Sequence, residues 1–224
     1  MRPVKTISTT LFHRILLPER PAAAPHPAII LLHGRGSDEE DLLGLAPELD
    51  ERFLILSARA PVQFPYGGYT WFDMESDGSR DEKGFHSSLA ALSRFVDDAC
   101  AGYPIDASLL FLYGFSMGTI MSYALAGTRP GTFRGVVANS GFVPEDPSIP
   151  YRWGEAQRTE FFITHGTEDP VIPVVRARRA RELLSGSGAK FIYREYPAPH
   201  SIDGAALRDA AAWLTGILNN SLQH

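Results

Sequence analysis

Short apolar runs recur along the chain at intervals that suit a sheet protein. They occupy residues 29–33, 53–57, 108–113, 135–138, 161–164 and 191–196. Most of them lack the apolar–polar alternation of a half-exposed strand, so they predict β-strands buried on both faces. Residues 11–17 predict a further strand at the edge of the sheet.

Helical periodicity lies between these runs. One helix is predicted from an apolar stripe spaced three, four and three residues apart, with Gly102 behind it as the C-cap: Leu89, Leu92, Val96 and Ala99. A second stripe near the C-terminus consists of Leu207, Ala211, Leu214 and Leu218. Ser37 followed by Glu40 predicts a capping box that opens a short helix.

The alternation of strands and helices predicts an α/β protein with a mostly parallel sheet. In such sheets, ligands bind beyond the carboxyl ends of the strands. The loops that follow the predicted strands are therefore the places to look for chemistry.

Composition narrows the functional classes. The 224 residues are 44% hydrophobic and 21% charged, which predicts a globular chain, and the length favours a single domain over residues 1–224. The net charge of −5 argues against a phosphate-binding surface, so nucleic acid is not an expected partner. The only cysteine, Cys100, cannot form an internal disulfide, and no run approaches the roughly 20 apolar residues of a membrane span. We expect a cytoplasmic protein without integral membrane association.

A candidate nucleophile follows the strand predicted at 108–113. Residues 112–118 read LYGFSMG, which contains G-x-S-x-G with Ser116 at its centre, and residues 119–126 continue as a helix. A serine at a tight strand-to-helix turn has a strained backbone, and the flanking glycines allow close approach of neighbouring elements. The context therefore predicts that Ser116 is a catalytic nucleophile.

A serine hydroxyl needs a base, and the base needs an acid to orient it. Asp169 follows the strand predicted at 161–164, and His200 follows the strand predicted at 191–196. Both lie at the carboxyl ends of strands, in the order Ser, Asp, His that α/β hydrolases use. Ser116, Asp169 and His200 are the predicted triad.

Acyl transfer also needs backbone N–H donors for the oxyanion. The amide of Met117 is one expected donor, because it follows the nucleophile directly. The loop LHGRG at residues 32–36 follows an earlier strand, and its glycines let the backbone turn towards Ser116. Arg35 is the expected second donor.

Together these segments resemble the phospholipase/carboxylesterase family of α/β hydrolases, which includes acyl-protein thioesterases and small bacterial carboxylesterases. The resemblance rests on HGRG at 33–36, WFD at 71–73, GFSMG at 114–118, HGTEDPVIP at 165–173 and PAPH at 197–200. It implies an α/β-hydrolase fold with the same triad and oxyanion residues, and it places Trp71 and Phe72 beside the acyl site. Many members carry glutamine directly after the nucleophile, where this chain has Met117. A backbone donor survives that exchange, whereas substrate preference can change.

Other chemistry finds little support in the sequence. No H-E-x-x-H motif or paired-cysteine spacing is present, and the loop Gly34-x-Gly36 lacks the third glycine of a dinucleotide site, so neither a metal nor another cofactor is expected. His33 and His165 each precede a glycine and are interpreted as hydrogen-bonded structural histidines. The basic run of Arg176, Arg178, Arg179 and Arg181 is interpreted as a solvated helix face, with an anion site as the alternative.

The connection over residues 140–159 is 20 residues long, which predicts a loop and no large lid domain. The leading hypothesis is a serine carboxylesterase that hydrolyses short-to-medium-chain acyl esters of small molecules through an acyl-enzyme. An acyl-protein thioesterase or a lysophospholipase is the alternative, and a non-catalytic hydrolase-fold binding protein is a third. The sequence leaves the oligomeric state open.

Overall fold

The computed structural model describes residues 6–19, 24–75 and 79–221. The main sheet consists of seven strands: β1 (His13–Leu16), β2 (His26–Leu32), β3 (Leu54–Ala58), β6 (Ile105–Phe115), β7 (Gly135–Asn139), β8 (Glu160–Gly166) and β9 (Lys190–Tyr196). A separate hairpin pairs β4 (Val62–Gln63) with β5 (Tyr69–Thr70). The strands of the main sheet lie in the order β1-β3-β2-β6-β7-β8-β9. Strand β1 is antiparallel to β3, and the other neighbours are parallel. The predicted α/β class, with its mostly parallel sheet and edge strand, is confirmed.

Layers of helix cover both faces of the sheet. In β2, Ile30 and Leu32 pack into one hydrophobic cluster, and the alternate residues Ile29 and Leu31 pack into a second. Because both sides of the strand are buried, the sequence shows a continuous apolar run instead of alternation. The helices are α1 (Glu82–Gly102), α2 (Met117–Thr128), α3 (Val175–Ser187) and α4 (Gly204–Ser221).

Helix α1 begins earlier than its apolar stripe shows. The Asp81 side chain accepts a hydrogen bond from the Gly84 amide at 3.0 Å and caps the helix. At the other end Gly102 is the last helical residue, and Tyr103 in extended conformation is the C-cap. The predicted C-cap is therefore displaced by one residue.

The capping box predicted at Ser37 and Glu40 is wrong. The short helix there, Asp41–Glu48, is a 3-10 helix with Glu40 at its N-cap and no side-chain cap. The backbone of Ser37 instead pairs with the β4–β5 hairpin, where its carbonyl accepts the Tyr69 amide at 2.7 Å. Tertiary pairing has replaced the local hydrogen bond that the sequence pattern suggested.

The connection between β7 and β8 is a loop, as its length predicts. Residues 140–159 are all described, and they contain one 3-10 turn, Trp153–Glu155. Within the described ranges, the helices also fall short of the length and apolarity that a membrane crossing requires.

Phe161 on β8 belongs to the same hydrophobic cluster as Ile30 and Leu32, and its replacement tests how tightly that cluster is packed. Its ring is fully buried, stacked on Tyr123 at 6.1 Å between centroids and edge-on to Trp153 at 6.2 Å. We expect Phe161→Ala to lower the free energy of unfolding by about 3–5 kcal/mol in urea titrations. The control is Ile192→Ala on β9, where the side chain is 39% exposed and the cost is expected below about 1 kcal/mol. Equal losses for the two variants would contradict this packing.

Candidate active site

Ser116 sits on a strained turn between β6 and α2. Its φ of 54° and ψ of −117° are rare for a residue with a side chain, and its amide donates to the Asn139 carbonyl at 3.0 Å. A Cβ on Gly118 would lie 1.9 Å from the Leu32 carbonyl oxygen, and one on Gly114 would lie 2.7 Å from the Gly118 carbonyl oxygen. The two glycines of the motif are therefore required by close backbone approach, as the sequence predicted.

The structure brings the three residues of the predicted triad together. His200 Nε2 lies 2.8 Å from Ser116 Oγ, and His200 Nδ1 lies 2.6 Å from Asp169 Oδ2. The Phe115 ring lies beside the imidazole with 5.1 Å between centroids. The three side chains come from loops after β6, β8 and β9, so the parallel sheet itself collects them at one edge.

Asp169 is buried among hydrogen-bond donors. Its Oδ1 accepts the amides of Val171 and Ile172, each at 2.8 Å, while Oδ2 faces His200. Burial by itself would raise the pKa of the Asp169 carboxyl, but these hydrogen bonds outweigh burial and hold the pKa below its ordinary value. The carboxylate is thus ionised and fixed in orientation.

His165 supports the same carboxylate from the strand side. It is buried, its Nε2–H donates to the Ile172 carbonyl at 2.7 Å, and the same nitrogen lies 3.3 Å from Asp169 Oδ2. Burial lowers the pKa of His165. The interpretation of His165 as a hydrogen-bonded histidine agrees with these contacts.

His33 organises the loop that carries Arg35. Its Nε2 accepts the Ala60 amide at 3.0 Å, so the ring proton is assigned to Nδ1, which donates to the Gly34 carbonyl at 2.7 Å. The His33 carbonyl in turn accepts the indole N–H of Trp71 at 2.9 Å. These bonds hold the backbone of residues 33–36 beside the nucleophile, and the bond from Ala60 needs a neutral imidazole because Nε2 accepts it.

Two of the predicted site residues, Arg35 and Met117, line one pocket of about 550 Å³ together with Ser116. The thioether sulfur of Met117 lies 3.2 Å from the Thr70 hydroxyl. Phe72 also lines this pocket, whereas Trp71 is fully buried behind the Arg35 loop. The expectation for Trp71 is corrected accordingly: its indole N–H is bonded to the His33 carbonyl, so it supports the loop without forming pocket wall.

Sequence reasoning missed part of this pocket. Ile120 lies one helical turn beyond Met117, and that spacing was a readable signal. Asp146 enters the wall from the loop after β7, and Arg80 enters from the segment before α1. No local pattern connects residues so far apart in the chain.

Among the residues that the structure describes, one group of side chains could hold a metal ion. Glu82, His86 and Asp146 bring ligand atoms within 4.8 Å of one another. The Arg80 guanidinium, however, lies 2.6 Å from Glu82 Oε2 and 2.7 Å from Asp146 Oδ2. An arginine already provides the positive charge between these carboxylates.

Comparison with known proteins identifies the architecture. A model of the phospholipase/carboxylesterase family matches residues 15–218. Acyl-protein thioesterase 1 of Debaryomyces hansenii is 28% identical over 226 residues, covering 92% of this chain and 96% of that protein. A probable inactive carboxylesterase of Oryza sativa subsp. japonica is 27% identical over 212 residues, covering 86% of this chain and 85% of that protein. The crystal structure of a Bacillus cereus carboxylesterase has a TM-score of 0.82 at 24% identity, covering 92% of this chain and 94% of that one. The expected α/β-hydrolase fold is confirmed.

The neutral state of His33 makes stability depend on pH. Burial lowers the pKa of His33, against weaker opposing effects of the Gly34 carbonyl and nearby carboxylates, so the folded protein resists a proton that the unfolded chain accepts near pH 6.5. The stability due to neutral His33 is complete above about pH 6.5 and is lost as pH falls towards the folded pKa, by at most about 1.4 kcal/mol per pH unit. Urea unfolding of wild type and His33→Asn from about pH 7.5 to 5 should give curves that converge as pH falls. A constant difference between the curves would contradict this role.

Proposed function

The chain belongs to the phospholipase/carboxylesterase family of hydrolases, and from that membership we propose that it is a serine carboxylesterase acting on short-to-medium-chain acyl esters. The observation that carries the proposal is the continuous hydrogen-bonded path from Ser116 through His200 to Asp169, with spacings of 2.8 and 2.6 Å. A base within reach of the hydroxyl and a carboxylate behind the base are the requirements for activating serine.

In the proposed acylation step, His200 Nε2 takes the hydroxyl proton as Ser116 Oγ attacks the ester carbonyl carbon. The amides of Arg35 and Met117 stabilise the resulting oxyanion. The carbon–oxygen bond to the alcohol then breaks, and His200 gives its proton to the leaving oxygen. Water repeats these steps on the acyl-enzyme, which releases the carboxylic acid and restores Ser116.

Asp169 has a positioning role in this scheme. It holds the His200 ring so that Nε2 faces Ser116, and it stabilises the imidazolium that forms during each half-reaction. Its lowered pKa supports this role, because a carboxylate is present throughout the neutral range.

The lone Cys100 fits a reducing compartment, and we place the enzyme in the cytoplasm.

Two alternatives use the same site. Thioester cleavage needs no change in the mechanism beyond a sulfur leaving group, and the name of the Debaryomyces hansenii relative favours it. Cleavage of lysophospholipids is a further variant. The name of the Oryza sativa relative raises the non-catalytic alternative, against which the spacing of Ser116, His200 and Asp169 argues.

The nucleophile is tested by Ser116→Ala. Removing Oγ should lower kcat for p-nitrophenyl butyrate by about 10⁶-fold and abolish covalent labelling by a fluorophosphonate, and His200→Ala should cost about as much. Initial rates and in-gel labelling give the two readouts. Labelling of the alanine variant at the wild-type rate would show that another residue is the nucleophile.

Neighbouring carboxyls provide a matched pair for the acid. Asp169→Asn should lower kcat by about 10⁴-fold, because the amide favours the wrong imidazole tautomer. Glu168 is exposed, and Glu168→Gln is its control, with rates expected close to wild type. The assignment of the acid is wrong if the Glu168 variant proves the more damaged.

The absence of a lid over residues 140–159 predicts the physical form of the substrate. In an apolar pocket open to solvent, each added methylene gains roughly 0.8 kcal/mol, or up to about fourfold in kcat/KM, until the wall ends. We expect activity on dissolved p-nitrophenyl esters without a jump at the micellar threshold, and weak activity on long-chain triglyceride emulsions. Strong interfacial activation would exclude the proposed carboxylesterase. Faster turnover of an acyl-CoA than of the matching ester would favour the thioesterase.

A further inference from the structure

Both apolar and charged side chains line the pocket at Ser116. Phe72, Met117, Ile120 and Phe142 supply apolar surface near the nucleophile. Arg80 and Asp146 line the same pocket. They come from different walls, since Arg80 precedes α1 and Asp146 lies in the loop after β7.

An ion pair joins these two walls. Arg80 Nη2 lies 2.7 Å from Asp146 Oδ2, and the two side chains are only 15% and 9% exposed. The Arg80 guanidinium also sits 3.9 Å above the ring of Phe85, which packs edge-on against Phe72 at 5.4 Å between centroids. Arg80 thus packs on Phe85, and Phe85 packs on Phe72, which lines the pocket.

Asp146 is fixed independently of Arg80. Its Oδ1 accepts the Ser148 amide at 2.8 Å and the Ser148 hydroxyl at 2.6 Å. Burial would raise the pKa of Asp146, but these bonds and the charge of Arg80 outweigh it and lower the pKa to about 2. The carboxylate stays ionised at neutral pH, and the boundary stays charged.

We propose that the Arg80–Asp146 ion pair closes the acyl pocket and sets the longest acyl chain that it accepts. The inference rests on the proposed function, since it assumes that the acyl group occupies this pocket. A methyl end that reached the pair would remove water from two charges without offering either a hydrogen bond. The gain from burying further methylenes ends there. Arg80 and Asp146 are thus specificity-determining residues.

The neighbouring residue supplies a control. Glu145 also lines the pocket, and it pairs at 2.7 Å with Arg179, which does not line it; the two side chains are 44% and 50% exposed. Exposed pairs of this kind contribute little to stability. Arg179→Met therefore breaks another ion pair on the same loop while leaving the Arg80–Asp146 pair in place.

The test compares kcat/KM for p-nitrophenyl butyrate and dodecanoate in wild type, Arg80→Met/Asp146→Asn and Arg179→Met. The double variant leaves no buried charge unpaired, and the amide oxygen that Asp146→Asn introduces can still accept both hydrogen bonds from Ser148. We expect its dodecanoate-to-butyrate ratio to rise at least tenfold, while Arg179→Met keeps the wild-type ratio and Arg80→Lys stays close to it. An unchanged ratio in the double variant, or an equal rise in Arg179→Met, would overturn the inference and leave the proposed esterase intact.

A binding measurement separates this inference from the proposed function. Calorimetric titration of Ser116→Ala with saturated carboxylates from butyrate to dodecanoate requires no turnover. Affinity should stop rising with chain length in Ser116→Ala and continue to rise when Arg80→Met and Asp146→Asn are added. The same plateau in both proteins would overturn the inference even if no ester were hydrolysed. If the double variant fails to fold, Asp146→Asn alone is added to Ser116→Ala and compared with it in the same way.

Discussion

At the turn that carries Ser116, the backbone of α2 lies in close contact with the backbone of β2, and the geometry of the site depends on that contact. The first turn of α2 meets the end of β2 so closely that a methyl group on Gly118 would lie 1.9 Å from the Leu32 carbonyl oxygen. Leu32 directly precedes the loop of His33 and Arg35, so this approach brings that loop to the nucleophile. The positive φ of Ser116, which costs about 1–3 kcal/mol, is held by the amide bond to Asn139 and by the strand and helix on either side. The N-terminus of α2 also favours negative charge at the same place.

The site is held on one side by hydrogen bonds of a neutral group, His33, and on the other by those of a charged group, Asp169. On the Arg35 side, the His33 ring bonds to Ala60 and Gly34, and the His33 carbonyl bonds to the Trp71 indole. The Ala60 bond requires an uncharged ring, because the ring nitrogen Nε2 accepts it. On the His200 side, Asp169 stays ionised because amides and an imidazole replace the water that burial removes. A neutral ring can be buried with two hydrogen bonds, whereas a buried carboxylate needs more. This difference explains why the acid has the denser network.

Local patterns predicted the central strands well because β2, β3, β7 and β8 are buried on both faces and therefore read as continuous apolar runs. They failed where a distant segment took the hydrogen bond. Ser37 pairs with Tyr69 in place of capping the helix that follows, and the indole of Trp71 turns inward to the His33 carbonyl. In both cases one of the two bonded residues, Tyr69 or Trp71, lies in or directly after strand β5 of the β4–β5 hairpin, which is too short to give a clear sequence signal.

The sequence by itself determined the order of elements, the strand-to-helix turn at Ser116 and the positions of Asp169 and His200 after their strands. It could do so because glycine spacing, buried runs and the parallel sheet rule are local or topological properties. Only the tertiary structure decided the distances among Ser116, Asp169 and His200 and the position of Trp71 outside the pocket lining. It alone also decided the pairing of Arg80 with Asp146 across 66 residues. Side chains from separate loops meet according to how the sheet and helices pack, and that packing is set by the whole core.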